Sequence, residues 1–311
     1  MRLSYYLLFI SGLLMMLLIS CEEEYIPITN SDQQKIVVES YIEKSEEGIP
    51  PYVILTKSLP FYSEFGINIL DQLFIHDAKV FISTDQQKIE LTEICIDDVP
   101  VEVRESLAKR FGLNLDSTAV NFCVYIDVLN QLNISEGVEY ELNIYTSMDS
   151  VKSKAFIPAL NPIDSIWFDV VPGKPLDSFL QLFCKIQDRP VDRDYYRYFT
   201  AGEGEALIPN FSSVTDDYFF NGQAFKFTLQ KAMQPGEDFN ETSGYFRKGD
   251  SIEIKWCGIE KAQFEFWNTL EVSRTRQGPF SSYVRIDGNI SNGLGIFGTQ
   301  NCKYYKLVVP N

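Results

Sequence analysis

The sequence predicts an all-β protein of two β-sandwich-like domains, the first immunoglobulin- or transthyretin-like and the second with one packed helix. Short runs rich in β-branched and aromatic residues, bounded by polar or turn residues, recur from residue 35 almost to the end. Pro158 and Pro162 interrupt this pattern near the middle, and we expect the domain boundary there. With 311 residues, 45% of them hydrophobic, the chain is long enough to build two cores.

The predicted strands fall into an N-terminal β-sandwich domain, residues 35–158, and a C-terminal β-rich domain, residues 159–311. In the first domain they are 35–42, 52–57, 78–83, 88–94, 119–126 and 140–146. In the second they are 163–171, 179–187, 195–200, 218–229, 251–256, 283–286 and 304–309. The alternation of apolar and polar residues is clearest at 140–146. Tyr140, Leu142 and Ile144 would share one face there, as expected of a half-buried antiparallel strand.

Two helices interrupt the strand pattern. Residues 100–112 carry three apolar side chains at helical spacing and end in a glycine. Residues 259–275 place Ile259, Phe266 and Leu270 on one side, and this stripe is expected to pack on the second sheet.

The N-terminus reads as an export signal. Residues 1–20 contain one cation followed by an apolar run shorter than the roughly 20 residues of a spanning helix. The run ends in Leu18-Ile19-Ser20-Cys21, which matches the lipobox of bacterial lipoproteins. We therefore expect lipidation of Cys21 and removal of residues 1–20; an uncleaved anchor helix is the alternative. Acyl chains on Cys21 would hold the protein on a bilayer.

Residues 21–34 form an acidic tether. Glu22, Glu23 and Glu24 directly follow the cysteine, and we interpret them as an export signal to the outer face of the outer membrane, or as a solvated spacer. The whole chain has 43 acidic and 27 basic side chains, a net charge of −16, which argues against a nucleic-acid partner.

Taken together, these motifs resemble a Bacteroidota outer-membrane lipoprotein family catalogued as domain of unknown function 4249. Besides the lipobox, the resemblance rests on residues 35–42, 51–61, 162–166, 188, 194–197 and 289–298. It spans nearly the whole mature chain. It implies a lipid-anchored outer-membrane protein, at the cell surface or on the periplasmic face, that acts as a binding or accessory subunit. The implied partner is a TonB-dependent outer-membrane receptor or another barrel, and no catalytic residues are implied.

The glycine-rich stretch near the C-terminus has two interpretations. Gly293, Gly295 and Gly298 alternate with apolar residues, a pattern typical of bulges, positive φ angles or close backbone approach. A tight turn that leads into the last strand is favoured over a narrow groove for a partner's backbone. A phosphate loop is disfavoured because strand-like residues follow instead of a helix.

Catalytic and metal-binding patterns are sparse, so we predict a non-enzymatic protein without cofactor or metal. His76 is the single histidine, and no Gly-x-Ser-x-Gly elbow is present. The acidic pairs Asp97-Asp98 and Asp216-Asp217 could bind Ca²⁺ or flank a glycosidic bond, but adjacent acids are expected in so acidic a chain. The alternatives are a surface carbohydrate-active hydrolase and a glycan-binding adhesin. The adhesin would use aromatic pairs at 195–196, 198–199, 218–220 and 304–305.

Five cysteines remain besides Cys21. They are Cys95, Cys123, Cys184, Cys257 and Cys302, an odd number without close spacing. No disulfide framework is implied, and any single pairing stays open.

Overall fold

The computed structural model describes residues 34–59, 71–102, 104–105, 111, 121–173, 178–190, 193–275 and 284–311. The leader, Cys21 and Glu22 to Glu24 lie outside the described residues, so lipidation and export stay predictions. Among the described residues, no helix combines the length and the apolar character needed to cross a membrane.

The fold class is confirmed: the described chain is mostly β and sandwich-like, with a helix packed on it. Up to residue 158 the strands are β1 (Ile36–Lys44), β2 (Tyr52–Lys57), β3 (Lys79–Ser83), β4 (Lys88–Cys95), β5 (Cys123–Ile126), β6 (Glu139–Tyr145) and β7 (Ser150–Phe156). Beyond it are β8 (Ser165–Asp169), β9 (Phe179–Gln187), β10 (Tyr195–Gly202), β11 (Ile208–Asp216), β12 (Ala224–Leu229), β13 (Phe246–Arg247), β14 (Ser251–Ile259) and β15 (Leu294–Val308). The helix α1 (Lys261–Thr275) directly follows β14.

The strands form an eleven-stranded sheet and a smaller four-stranded sheet. The order of the large sheet is β11-β10-β14-β15-β1-β2-β5-β4-β3-β6-β7, and in the small sheet β9 pairs with β8, β12 and β13. At the centre of the large sheet, β1 lies parallel to β15 and antiparallel to β2. The first and last strands of the described chain are therefore neighbours.

The large sheet crosses the predicted domain boundary, whereas the hydrophobic clusters largely respect it. One cluster is built from residues before 158, with Ile290 and Phe297 added from the C-terminal part. A second cluster, around Trp256 and Leu182, contains only residues from 163 onward. Residues 34–311 form one compact unit, and the boundary at 158 stays a prediction.

Several predicted elements are shifted in the structure. The helix predicted at 259–275 is present, but Ile259 closes β14 and Gln263, 1% exposed, is the buried helix residue. Residues 284–290 are irregular rather than a strand, and β15 begins ten residues before the predicted start at 304. The predicted strands do not include β7, β11 or β13. Of the helix predicted at 100–112, residues 101–102 and 104–105 are helical, and most of the rest lies outside the described residues.

Two disulfides cross-link neighbouring strands. Cys95 bonds to Cys123 between β4 and β5, and Cys257 bonds to Cys302 between β14 and β15. In both pairs the two cysteines face each other directly in the antiparallel register. Cys184 is a buried free thiol in the second core. The five cysteines thus form two disulfides and one free thiol, a pairing that their spacing along the chain does not predict.

Candidate functional site

A cavity of about 400 Å³ opens between the large sheet and the helix. We call it the α1 cavity and define it by Glu39, Glu43, Arg197, Lys255, Trp267 and Tyr304. Strand alternation creates its wall, because β1 buries Val38, Ser40 and Ile42 on one face and turns its odd-numbered residues to the other. Helix α1 contacts β10, β11 and β15 and closes one side.

A buried ion pair lies in one wall of the α1 cavity. Glu43, 8% exposed, accepts hydrogen bonds from Lys255 Nζ, Gln300 Nε2 (2.7 Å), Tyr304 OH (2.8 Å) and Ser45 Oγ (2.7 Å). Burial alone would raise the pKa of Glu43, but the charge of Lys255 and these hydrogen bonds outweigh it and lower the pKa. Both carboxylate oxygens are thus occupied, and Glu43 is ionised at neutral pH.

Arg197 forms a second wall and is only 3% exposed. Its guanidinium carbon lies 3.6 Å from the ring centroid of Trp267 and 4.7 Å from that of Phe199. Arg197 Nε donates to Ser213 Oγ (3.2 Å), which donates to Glu271 Oε1 (2.6 Å). Among the described residues, no carboxylate lies within 4.0 Å of Arg197. Arg197 is therefore a buried cation on the cavity wall without a direct ion pair, although the charges of Glu271 and Glu39 act on it from a greater distance.

Glu39 faces the same space from β1. Its side chain is exposed to the cavity, and among the described residues it has no direct ion pair. The surrounding walls still remove part of its hydration, and this desolvation raises the pKa of its carboxyl by more than the positive charge of Arg197 lowers it. The α1 cavity thus contains two carboxyl groups of different character: the pKa of Glu39 is raised, and that of Glu43 is lowered.

Two buried polar atoms of α1 have no hydrogen-bond partner within the described part of the chain. They are Gln263 Oε1 and Trp267 Nε1. Each such atom costs about 1–3 kcal/mol when it is left unpaired in a folded protein. This region of the wall is therefore polar, buried and incompletely satisfied.

The predicted glycine motif lies under this wall and along β15. A Cβ on Gly298 would lie 2.9 Å from both Gln263 Cδ and Tyr41 Cδ1, so the glycine lets α1 and β1 approach β15. Gly295, with φ +103°, lies against the Val38 carbonyl, and Gly293 lies in the bend before β15. Close approach within the chain accounts for all three glycines, and a role in partner binding stays a prediction.

The aromatic pairs divide between the two faces of the sheet, as strand alternation requires. Tyr195, Phe199 and Tyr304 pack on the α1 side, while Tyr196 and Tyr305 belong to the second core. Among the 218–220 group, Phe220 is buried, and the two residues before it are exposed. The pairs thus contribute mainly to packing.

His76 lies apart from the α1 cavity. Its ring Nδ1 pairs with Glu93, whose other oxygen accepts from the backbone N–H of Asp77 and from Tyr125 OH. Cys95 and Cys123 lie nearby, but their sulfurs are joined in a disulfide and are not free to bind a metal. The contacts of His76 are those of a hydrogen-bonded surface side chain.

No local pattern in the sequence indicates the α1 cavity directly. Its residues come from β1, β10, β14, β15 and α1, and only the sheet order brings them together. The one local signal is that Glu39, Tyr41 and Glu43 recur at every second position of the first strand. Three large polar residues on one strand face predict a polar face, but not what covers it.

A protein-family model described as "Domain of unknown function (DUF4249)" matches residues 22–305. The chain belongs to the DUF4249 family. This match confirms the resemblance inferred from the sequence motifs, while membership in a Bacteroidota lipoprotein group stays a prediction. The DUF4249 match includes every residue that defines the α1 cavity and begins directly after Cys21. A search of curated proteins finds no match to this chain.

Proposed function

We propose that this DUF4249 chain is a lipid-anchored binding protein of the outer membrane that acts as an accessory subunit beside a TonB-dependent receptor. The lipobox at Cys21 supports the anchor. The disulfides Cys95–Cys123 and Cys257–Cys302 support an oxidising compartment outside the cytosol, because thiols are kept reduced in the cytosol. The acidic tether would separate the folded body from the lipid surface.

The α1 cavity is the proposed binding site, and Arg197 is the observation that carries this assignment. Burying a charge is unfavourable unless a partner compensates it. Arg197 is buried on the wall of an open cavity, and no carboxylate among the described residues pairs with it. Glu271 and Glu39 act on Arg197 only from a distance. A carboxylate or carbonyl group of a bound molecule would supply a direct partner, and Trp267 and Phe199 would fix the orientation of the guanidinium.

A carbohydrate-active hydrolase is the second candidate, favoured by one observation. Glycosidases pair a protonated carboxyl with an ionised one. Glu39 and Glu43 differ in this sense, since the pKa of Glu39 is raised and that of Glu43 is lowered. However, four donors already occupy the oxygens of Glu43, so it is not free to attack or to activate water. Binding is therefore the better-supported function.

Purification of the full-length protein from its own membranes in mild detergent tests the accessory role. Co-purified proteins would be quantified by mass spectrometry for wild type, Cys21→Ala, Arg197→Met and the control Arg285→Met, which changes an exposed arginine. We expect a receptor barrel with wild type and Arg285→Met, and none with Cys21→Ala.

The cavity variant separates the two parts of the proposal. Loss of the barrel with Arg197→Met, in a protein that melts like wild type, would place the contact at the α1 cavity. Unchanged recovery would remove the cavity from the contact and leave the anchor in place. Recovery of no barrel with wild type would contradict the accessory role.

A further inference from the structure

Three aspartates meet where three strands of the second half end. Asp188 directly follows β9, Asp194 directly precedes β10, and Asp217 directly follows β11. Each offers one carboxylate oxygen, and these oxygens all lie within 4.8 Å of one another. We call this group the Asp188 cluster. It is distinct from the α1 cavity, whose defining residues it does not share.

The Asp188 cluster is buried and carries excess negative charge. Asp188 is 2% exposed and Asp217 is 0% exposed. Within the described part of the chain, the one ion pair to these carboxylates joins Arg189 Nη2 to Asp194 Oδ1, at 2.9 Å. Three carboxylates and one guanidinium leave two negative charges uncompensated, and buried charges of one sign are strongly unfavourable.

Asp217 supplies the observation that points to a ligand. Its Oδ2 accepts a hydrogen bond from the backbone N–H of Asp194 (3.1 Å), but its Oδ1 is buried and has no partner among the described residues. By contrast, Asp188 accepts from Tyr196 OH (2.7 Å) and from the backbone N–H of Gly222 (2.8 Å). The cluster therefore lacks one positive centre beside Asp217.

Asn161 adds a neutral group from a different part of the chain. It lies between Pro158 and Pro162 and is 3% exposed. Its Nδ2 lies 3.0 Å from Asp188 Oδ1 and 2.8 Å from Asp194 Oδ2. Rotation of this amide by half a turn would present its carbonyl oxygen to the same place.

We propose that Asp188, Asp194, Asp217 and Asn161 bind a Ca²⁺ ion. Ca²⁺ takes oxygen ligands at about 2.3–2.6 Å, so two opposite ligands are separated by about 5 Å, in agreement with the spacing of the cluster. Zn²⁺ prefers histidine and cysteine, and Mg²⁺ keeps several waters, for which this buried position is poorly suited. The bound ion would fasten the Asn161 segment to the ends of β9, β10 and β11.

Calcium titration of the full-length protein in detergent tests the proposal. The protein is stripped with EGTA, and CaCl₂ or MgCl₂ is added at constant ionic strength while heat of binding and thermal unfolding are followed. We expect one Ca²⁺ per chain and a higher melting temperature in Ca²⁺ than in EGTA. The variant Asp217→Asn should weaken Ca²⁺ binding by about tenfold or more, because a charged ligand is lost.

The matched control is Asp216→Asn. Asp216 neighbours Asp217 in sequence but pairs with Arg193 outside the cluster. The Ca²⁺ affinity of the Asp216→Asn variant should therefore stay within about twofold of that of wild type. Without calcium, Asp217→Asn should melt at or above wild type, since it removes an uncompensated buried charge. Wild type that neither binds Ca²⁺ nor gains stability would overturn the proposal, as would equal stabilisation by Mg²⁺ or unchanged binding by Asp217→Asn.

Discussion

Gly295 of β15 lies directly against the carbonyl oxygen of Val38 in β1. A Cβ at position 295 would fall 1.9 Å from Val38 O, and the residue has φ +103°. Both facts exclude any side chain at this point of the parallel pair. The pairing of β1 with β15, which joins the two halves of the large sheet, therefore requires glycine at position 295.

The first prediction follows from this contact. Gly295→Ala should lower the free energy of unfolding by about 3 kcal/mol or more, because the methyl group forces β15 away from β1. Gly137→Ala is the control: Gly137 also has positive φ (+76°) but open space around it, so only the backbone strain of about 1 kcal/mol remains. Denaturant unfolding measures both, and equal effects would contradict the close approach.

The second prediction concerns the ion pair in the α1 cavity. Lys255→Met should lower the free energy of unfolding by about 3–5 kcal/mol, since it leaves the Glu43 charge buried without its cation. Adding Glu43→Gln should recover part of the loss by removing that charge.

Lys306→Met serves as its control. Lys306 pairs with Glu47 at the surface, where their side chains are 62% and 44% exposed, so we expect little change in the free energy of unfolding. A Lys255→Met loss as small as that of Lys306→Met would show that the Glu43–Lys255 pair is solvated.

The third prediction concerns the thiols. Alkylation in denaturant without reductant should modify Cys184, the one free thiol among the described residues. After reduction, Cys95, Cys123, Cys257 and Cys302 should also react. Peptide mass spectrometry reads each site separately, and alkylation of Cys257 or Cys302 before reduction would contradict the second disulfide.

The fourth prediction concerns pH. Burial raises the pKa of Glu260, just before α1, from 4.5 to about 7. The folded state then binds this proton more tightly than the unfolded state, so the contribution of Glu260 to stability is complete below pH 4.5 and is lost as the pH rises to about 7. Glu260→Gln, which cannot ionise, should therefore gain stability relative to wild type at pH 8 and much less at pH 5.5.

Unfolding at both pH values tests this, with Glu90→Gln as the control. Glu90 is exposed on β4, so its variant shows what the change from Glu to Gln contributes at an exposed position. If Glu260→Gln changes the free energy of unfolding by the same amount at both pH values, the raised pKa of Glu260 is contradicted.

The sequence predicted the features that are encoded locally. Tyr140, Leu142 and Ile144 alternate with polar residues and are all at most 1% exposed, because a strand turns successive side chains to opposite faces. The helix after β14 was likewise expected, although Ile259 belongs to the strand before it. Local periodicity identified the elements but not their limits.

Features that depend on distant parts of the chain were not predictable in this way. Cys257 and Cys302 are 45 residues apart and meet only because β14 pairs with β15 in one register. Asp217 is one of two adjacent acids in the sequence, but its neighbours in space, Asp188 and Asp194, come from other strand ends. Arg197 lies between two tyrosines in a predicted strand, and the helix that supplies Trp267 is about 70 residues further along the chain. Local periodicity therefore does not indicate their contact.

Attachment to a membrane through Cys21 is the central claim of the proposed function. Its most direct test is mass measurement of the N-terminal peptide of the protein purified from its native membranes. We expect a peptide that begins at Cys21, lacks residues 1–20 and carries acyl chains. A peptide that begins at Met1, or an unmodified Cys21, would contradict the claim.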